Sequence, residues 1–362
     1  MAASFSQLIK HPLGAPSLAV IVLVALAAFS AYAWIPDATP QANQMNLALA
    51  NKAPGTKVHT LRLPREERGV LTGPAWLRGV PRRYREVVVS RVKQAGDTLL
   101  YRRYPRREGP WQVVARDALL LKAQGGAVWE RTFWLGTDRF GRDLLSRLVL
   151  GARVSLAVGL VAVFISLLIG IPLGALAAFY GGWVDKLILW LINVVWSIPG
   201  LLLVIALTLA LGKGFWQVFV AIGLTMWVEV ARVIRGQVLS IREKEYVQAA
   251  RVLGFGDMRI LGRHILPNAV APLIVISAAN FAAAILVESG LSFLGIGAQP
   301  PTPSWGGMIK DHYAYIIMDK AYLALIPGLA IMLLVLAFMT LGNALRDVLD
   351  VRSGKEAVGS GE

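Results

Sequence analysis

Cysteine is absent from the 362 residues, which excludes a disulfide scaffold, a thiolate metal site and a cysteine nucleophile. Charge is scarce: Asp, Glu, Lys and Arg make up 16% of the chain, against about 25% in a soluble globular domain. With 56% hydrophobic residues and a mean hydropathy of +0.57, an ordinary soluble enzyme and a disordered chain are both excluded. Histidine is sparse as well: His11, His59, His264 and His312 are the four present, none at metal-ligand spacing from another. No G-x-x-x-x-G-K-[ST] phosphate loop, G-x-S-x-G or H-E-x-x-H occurs, so this chain carries no ATP site of its own and no mark of a hydrolase or zinc protease. Acids are outnumbered, 22 against 37 Lys and Arg, for a net charge of +15. Such a balance suits nucleic acid or an anionic membrane surface, and where the charges lie decides between them.

What is present is a set of long runs without Asp, Glu, Lys or Arg. They are Leu13 to Pro36, Val154 to Tyr180, Leu187 to Gly212, Gly214 to Val228 continuing helically toward Val238, Asn268 to Val287, and Ala321 to Leu345. A bilayer core takes about 20 apolar residues as a helix, so these predict six transmembrane helices. Lys10, the first run and Ala31-Tyr32-Ala33 also fit a cleavable signal peptide. The weakly charged start and the length of the run favour a retained anchor. Lys and Arg concentrate between Arg242 and His264, which places that loop, and by counting spans both termini, in the cytoplasm.

The predicted organisation is a tail and first helix over 1–36, a hydrophilic insert over 37–134, a helical core over 135–352 and a short tail over 353–362. Residues 37 to 131 hold 18 Lys and Arg against 8 Asp and Glu. Counting spans makes this a basic extracytoplasmic domain, too long for the positive-inside rule to govern, rather than a nucleic-acid arm. Strands are expected at Arg85 to Val92, Thr98 to Tyr104 and Trp111 to Leu121. The insert reads either as a β-rich spacer or as a docking surface.

The loop over 241–268 reads as helix, break, helix. Glu243 to Leu253 is rich in helix formers, Gly254 and Gly256 interrupt it, Asp257 caps a second helix, and Pro267 ends it. Ala249 and Ala250 give a small-residue face. Physically this is either a docking knob for another protein or a basic helix lying on lipid. Gln248-Ala249-Ala250, three residues, Gly254, nine residues, then His264-Ile265-Leu266-Pro267 resembles the signature loop of permease subunits of binding-protein-dependent ABC importers, with Gln248 for Glu and His264 for Ile. The form Arg263-His264-Ile265-Leu266-Pro267-Asn268 is similar to the dipeptide/oligopeptide/nickel branch. So are Leu135 to Arg147, Gly151 to Ser155, Tyr180 to Asp185, Glu288 to Gly297, Pro300 to Gly306 and Leu345 to Asp350.

The resemblance implies an all-α polytopic membrane fold of six helices, bearing the small β-rich extracytoplasmic insert after the first. It implies a non-catalytic inner-membrane subunit forming half of a pathway for peptides or a related small solute. The expected partners are a second permease, two cytoplasmic ATPase subunits that bind ATP and Mg, an extracytoplasmic substrate-binding protein and lipid. Tyr246, Gln248, Ala249, Ala250, Gly254, Arg263, His264, Leu266 and Pro267 would then form the ATPase-coupling loop. Asn193, Asn280 and Glu288 lie at membrane depth, either lining the pathway or bonding helix to helix. Glu229 and Arg232 lie lower in the fourth span, and with Arg235 they stand three residues apart, a spacing that allows a same-face, structural ion pair near the cytoplasmic interface. An ion-gradient-driven secondary transporter is the alternative, and it would need midplane carboxylates on repeated broken helices.

Overall fold

The computed structural model describes residues 7–64, 74–80, 84–96, 98–105, 109–115, 128–212 and 214–359. It is mostly helical. Helix α1 spans Gly14–Phe29, α2 Leu144–Tyr180, α3 Gly182–Ser197, α4 Gly200–Leu211 and α5 Phe215–Arg242. After the short α6 (Glu245–Val252) come α7 (Val270–Leu294), α8 (Trp305–His312) and α9 (Tyr322–Gly359). Among the described residues four helices are long and apolar enough to cross a membrane, or five when α3 and α4 count as one bent span. Helix α1 is a shorter apolar helix of 16 residues.

The expected third span is not continuous. It breaks between α3 and α4 with a bend of 93°. Pro199 lacks a backbone donor and forces Ile198 out of helical geometry (ψ 129°). The first run also stops early, at Ser30, before a short turn of helix over Ala31–Trp34. Helix α2 begins ten residues before the run that predicted it, because Asp143 caps it and accepts from the Ser146 amide at 2.8 Å.

Helices α2 and α5 form the centre of the bundle. They approach closely at Gly174, where an added Cβ would lie 2.3 Å from the Ala231 carbonyl oxygen and 2.1 Å from Ile234 Cγ2. Small residues at such crossings let backbones pack where lipid offers no hydrophobic drive. Val230, Ile234 and Val238 are buried against Ala175 and Ala178 along this seam.

Between α1 and α2 lies a five-stranded antiparallel sheet in the order β4-β3-β2-β1-β5. Its strands are β1 (Thr56–Pro64), β2 (Tyr84–Ala95), β3 (Thr98–Arg103), β4 (Gln112–Ala115) and β5 (Val128–Phe133). Strands β2 and β3 fall where alternation predicts them. Of the third expected strand, Gln112–Ala115 is strand and 116–121 lies outside the described residues. Pairing of Thr60 with Val88 and of Leu61 with Val87 buries Leu61, Val87, Val89 and Tyr101 on one face. On the other face Val58, Val88 and Phe133 pack on Leu49.

A buried polar seam joins the sheet to the bundle. Asp138 bonds the Arg142 guanidinium at 2.5 Å and accepts from the Phe140 and Arg142 amides. Arg142 reaches Asn43, and Arg139 pairs with Asp311. Tyr322, at the start of α9, donates to the Lys52 carbonyl at 2.8 Å.

Candidate functional site

The 241–268 loop has one side fastened to the bundle and one side open. Val247 and Ala250 on α6, followed by Ile260, Leu261 and Ile265, are buried against Phe179, Val238 and Ile241. Residues 251–259 are all exposed. Gly254, at φ +78°, makes the turn between these parts, in a region costly for residues with a Cβ. Its amide donates to the Arg251 carbonyl and that of Phe255 to Ala250. The Phe255 ring stacks on His264 at 5.9 Å with planes 10° apart. Asn268 donates to the Tyr246 hydroxyl at 3.3 Å and to the His264 carbonyl at 2.7 Å, while Gln248 donates to the Glu243 carbonyl.

Most of the residues that the sequence singles out thus converge. Tyr246, Gly254 and His264 shape the loop, and Gln248, Ala249, Arg263 and Pro267 lie on its exposed side. Leu266 is half-buried. Three details differ from expectation. Ala250 faces the bundle, so the small face is Ala249 alone. Asp257 is the first helical residue rather than a cap, with Gly256 in the cap position. Pro267 does not end the segment, because a 3-10 turn over Leu266–Ala269 carries the chain straight into α7; a proline in a first turn has no donor to lose.

The glycine-hinged tip was expected, but not the apolar side chains it presents. Val252 is 88% exposed, Leu253 73% and Met258 63%. Apolar residues beside two glycines in an otherwise charged loop were the available signal.

The polar residues of the spans separate into two groups. Asn280 and Glu288 on α7 are buried, and among the described residues Asn280 Nδ2 has no hydrogen-bond partner. Ser292 donates to Glu288 Oε1 at 2.6 Å and accepts from the Ala298 amide, which fastens the turn after α7. Asn193 is exposed on α3 and accepts from Arg232 at 3.3 Å. The same-face ion pair does not form. Arg235 instead makes two bonds to Asp185 on α3, at 2.6 and 2.7 Å, and the Arg232 guanidinium lies 3.4 Å from the Trp196 ring centroid. A planar bidentate partner across helices outcompetes a local one.

Outside the spans, His312 is 1% exposed. Its Nε2 accepts from the Arg139 amide at 3.3 Å and its Nδ1 faces the Met308 carbonyl at 2.7 Å. Burial pushes this imidazole below its ordinary pKa, against the Asp138 and Asp311 charges that favour the cation. Burial likewise raises the Asp143 carboxyl, opposed by its bonds from Ser146.

A family described as "Binding-protein-dependent transport system inner membrane component" matches residues 170–355, which contain the loop and exclude the sheet. A glutathione transport system permease protein of Pectobacterium atrosepticum is 42% identical over 217 residues, 60% of this chain and 72% of that protein. A dipeptide transport system permease protein of Alkalihalophilus pseudofirmus is 43% identical over 217 residues, 60% and 71% of the two chains. Among solved structures, an inward-facing form of the MetNI methionine ABC transporter aligns with a TM-score of 0.48 at 20% identity, covering 57% of this chain and 97% of that one.

Proposed function

Because the chain belongs to the family of inner membrane components of binding-protein-dependent transport systems, we propose that its 241–268 loop is the element through which ATP hydrolysis drives transport. The chain is a multi-pass permease component of an ABC importer. One observation carries the proposal: the loop is anchored to the α2–α5 seam through Val247, Ala250 and Ile260, and it presents an unbroken exposed tip over 251–259. A push on such a tip is delivered to the helices without being lost in the loop.

In this reading the tip seats in a cytoplasmic ATPase subunit, which binds ATP and Mg, and the chain itself catalyses nothing. A second permease completes the pathway, two ATPase subunits serve the pair, and an extracytoplasmic protein delivers the solute. Helix α1 is the first of six spans, both termini are cytoplasmic, and the basic sheet domain is extracytoplasmic. The transported solute is a peptide or a related small molecule, the class that the names of the glutathione and dipeptide relatives suggest. Asn193 faces the pathway, whereas Asn280 and Glu288 serve helix packing and loop anchoring. Nothing supports the ion-gradient alternative.

The test is purification of the tagged chain in mild detergent with its natural neighbours co-expressed. Wild type should retain a second permease and the ATPase. Gly254→Asp, which puts a side chain and a charge at φ +78°, should retain the permease and lose the ATPase. A variant that keeps both and transports normally overturns the coupling role.

A further inference from the structure

Three residues near Asn193 remain without a role in that account: Trp196 on α3, and Glu229 and Arg232 on α5. Helix α5 is 28 residues long. At 1.5 Å per residue Glu229 lies about 21 Å and Arg232 about 26 Å from its first residue, within the depth of a bilayer core. Asn193, Trp196 and Glu229 are exposed and Arg232 half-buried. Ionisable side chains at that depth face protein or a water-filled cavity rather than lipid. The adjoining backbone gives an independent sign of water. The helix breaks at Ile198 and Pro199, and residues 196–202 are all exposed. Irregular backbone at membrane depth persists only where protein buries it or where it lines a wet cavity.

The charges are held apart instead of neutralising each other. Among the described residues no ion pair joins Glu229 to Arg232, although three positions separate them. Arg232 is drawn toward α3, where its guanidinium stacks on Trp196 and gives one bond to Asn193. A guanidinium stacked on a ring keeps its in-plane donors for a planar acceptor, and a carboxylate fits that fork. Glu229, about one turn away on the same helix face, offers a carboxylate to a cation. One turn beyond Arg232, the Asp185–Arg235 pair fixes α3 to α5 and so fixes the spacing of the patch.

We propose that Asn193, Trp196, Glu229 and Arg232 form a solute-recognition patch on the wall of the translocation pathway, taking a zwitterion by its carboxylate at Arg232 and its ammonium at Glu229. This rests on the importer reading above and adds the chemical class of what passes.

The absence of cysteine makes the test direct, since any introduced thiol is the one thiol of this chain, and the importer with the cysteine-free chain gives the background labelling of its partners. The assembled importer carrying Asn193→Cys is treated with two membrane-impermeant methanethiosulfonates, one bearing a sulfonate and one a trimethylammonium group. Leu160→Cys, on the exposed apolar face of α2, is the reference for an apolar surface with no charge beside it. The thiol at 193 should react while that at 160 does not, and the sulfonate should react about three- to tenfold faster, as one unscreened neighbouring cation allows. Arg232→Gln should abolish that preference and Glu229→Gln should increase it. An unreactive 193 thiol in a complex that retains its ATPase places the patch against the second permease and overturns the proposal, leaving the importer intact. Reaction without charge preference, or a preference indifferent to Arg232→Gln, also overturns it. Loss of the ATPase from the wild-type complex would instead overturn the importer reading itself.

Discussion

At His312 one ring nitrogen accepts an amide proton and the other faces a carbonyl, an arrangement that only the neutral ring with its proton on Nδ1 satisfies. Burial is the main penalty on charging the ring, and a second N–H would also be set against the Arg139 amide, beside the Arg139 guanidinium. The folded pKa is therefore depressed, and the folded state binds fewer protons than the unfolded one. Stability contributed by the neutral ring is fully present above the ordinary histidine range near about 6.5. It is lost as pH falls from there toward the lower folded value. Thermal unfolding of the purified permease should give a midpoint that drops between neutral pH and about pH 5, and His312→Gln should flatten that slope. Asp143 acts in the opposite sense, since a carboxyl raised by burial loses stability as pH rises through its folded pKa. The difference between wild type and His312→Gln isolates the imidazole. Equal slopes in the two proteins would refute its role.

Among the elements, the α2–α5 crossing and the coupling tip obey different rules. Gly174 meets a backbone oxygen and a branched side chain, so Gly174→Val forces the helices apart. Such overpacking costs about 1–3 kcal/mol, read as a fall in unfolding midpoint. Gly290, with nothing within 4 Å of a Cβ, is the control: Gly290→Ala should be neutral or slightly stabilising. At the tip, Leu253 is 73% exposed, so Leu253→Ala should leave the midpoint unchanged. If the tip seats in an ATPase groove, the same change should weaken ATPase retention by about tenfold, the worth of one buried apolar side chain. A midpoint that falls with normal retention would make Leu253 structural. The spans and the tip were legible in the sequence to different degrees. Runs without charge announce membrane helices because the bilayer penalises each polar group, and Gly254 with the His264–Pro267 stretch marked the loop. The break at Pro199 was not announced, because proline is tolerated in membrane helices when neighbours satisfy the freed groups, and only the packing shows whether they do. The Asp185–Arg235 pair, fifty positions apart, leaves no local pattern, whereas the Glu229–Arg232 spacing offers a local pair that the fold declines. Strands β1 and β5 escaped notice because each carries polar residues on both faces (His59, Thr60 and Arg62; Glu130, Arg131 and Thr132), and alternation is then lost.

In the whole molecule, the sheet domain and the helices share one polar seam. The Asp37 amide donates to the Ser146 hydroxyl, the Lys52 amide donates to the Thr137 hydroxyl, and Gln41 donates to Thr302 at 3.2 Å in the turn between α7 and α8. Asp138, Arg142 and Arg147 in this seam are buried together. Opening it would part these paired charges, and the scale of such buried pairing is the roughly 3–5 kcal/mol lost when one partner is removed. A transport cycle driven by ATP supplies free energy of larger size, so burial alone does not decide whether the seam opens during the cycle. The arrangement of the contacts does. They reach α2 through Ser146, the start of α9 through the Tyr322–Lys52 bond, and the turn before α8 through Thr302, so any opening would break three sets of bonds at once. The sheet is therefore expected to travel with the first turns of α2 and α9 as one body, while the α3–α5 side does the gating. Gln41→Cys with Thr302→Cys, bridged by a short bifunctional thiol reagent in this cysteine-free chain, should leave ATP hydrolysis by the assembled importer and its solute uptake near wild-type rates. A bridge that forms and stops both would show that the seam opens in every cycle, and the sheet would then be a moving gate instead of a fixed platform.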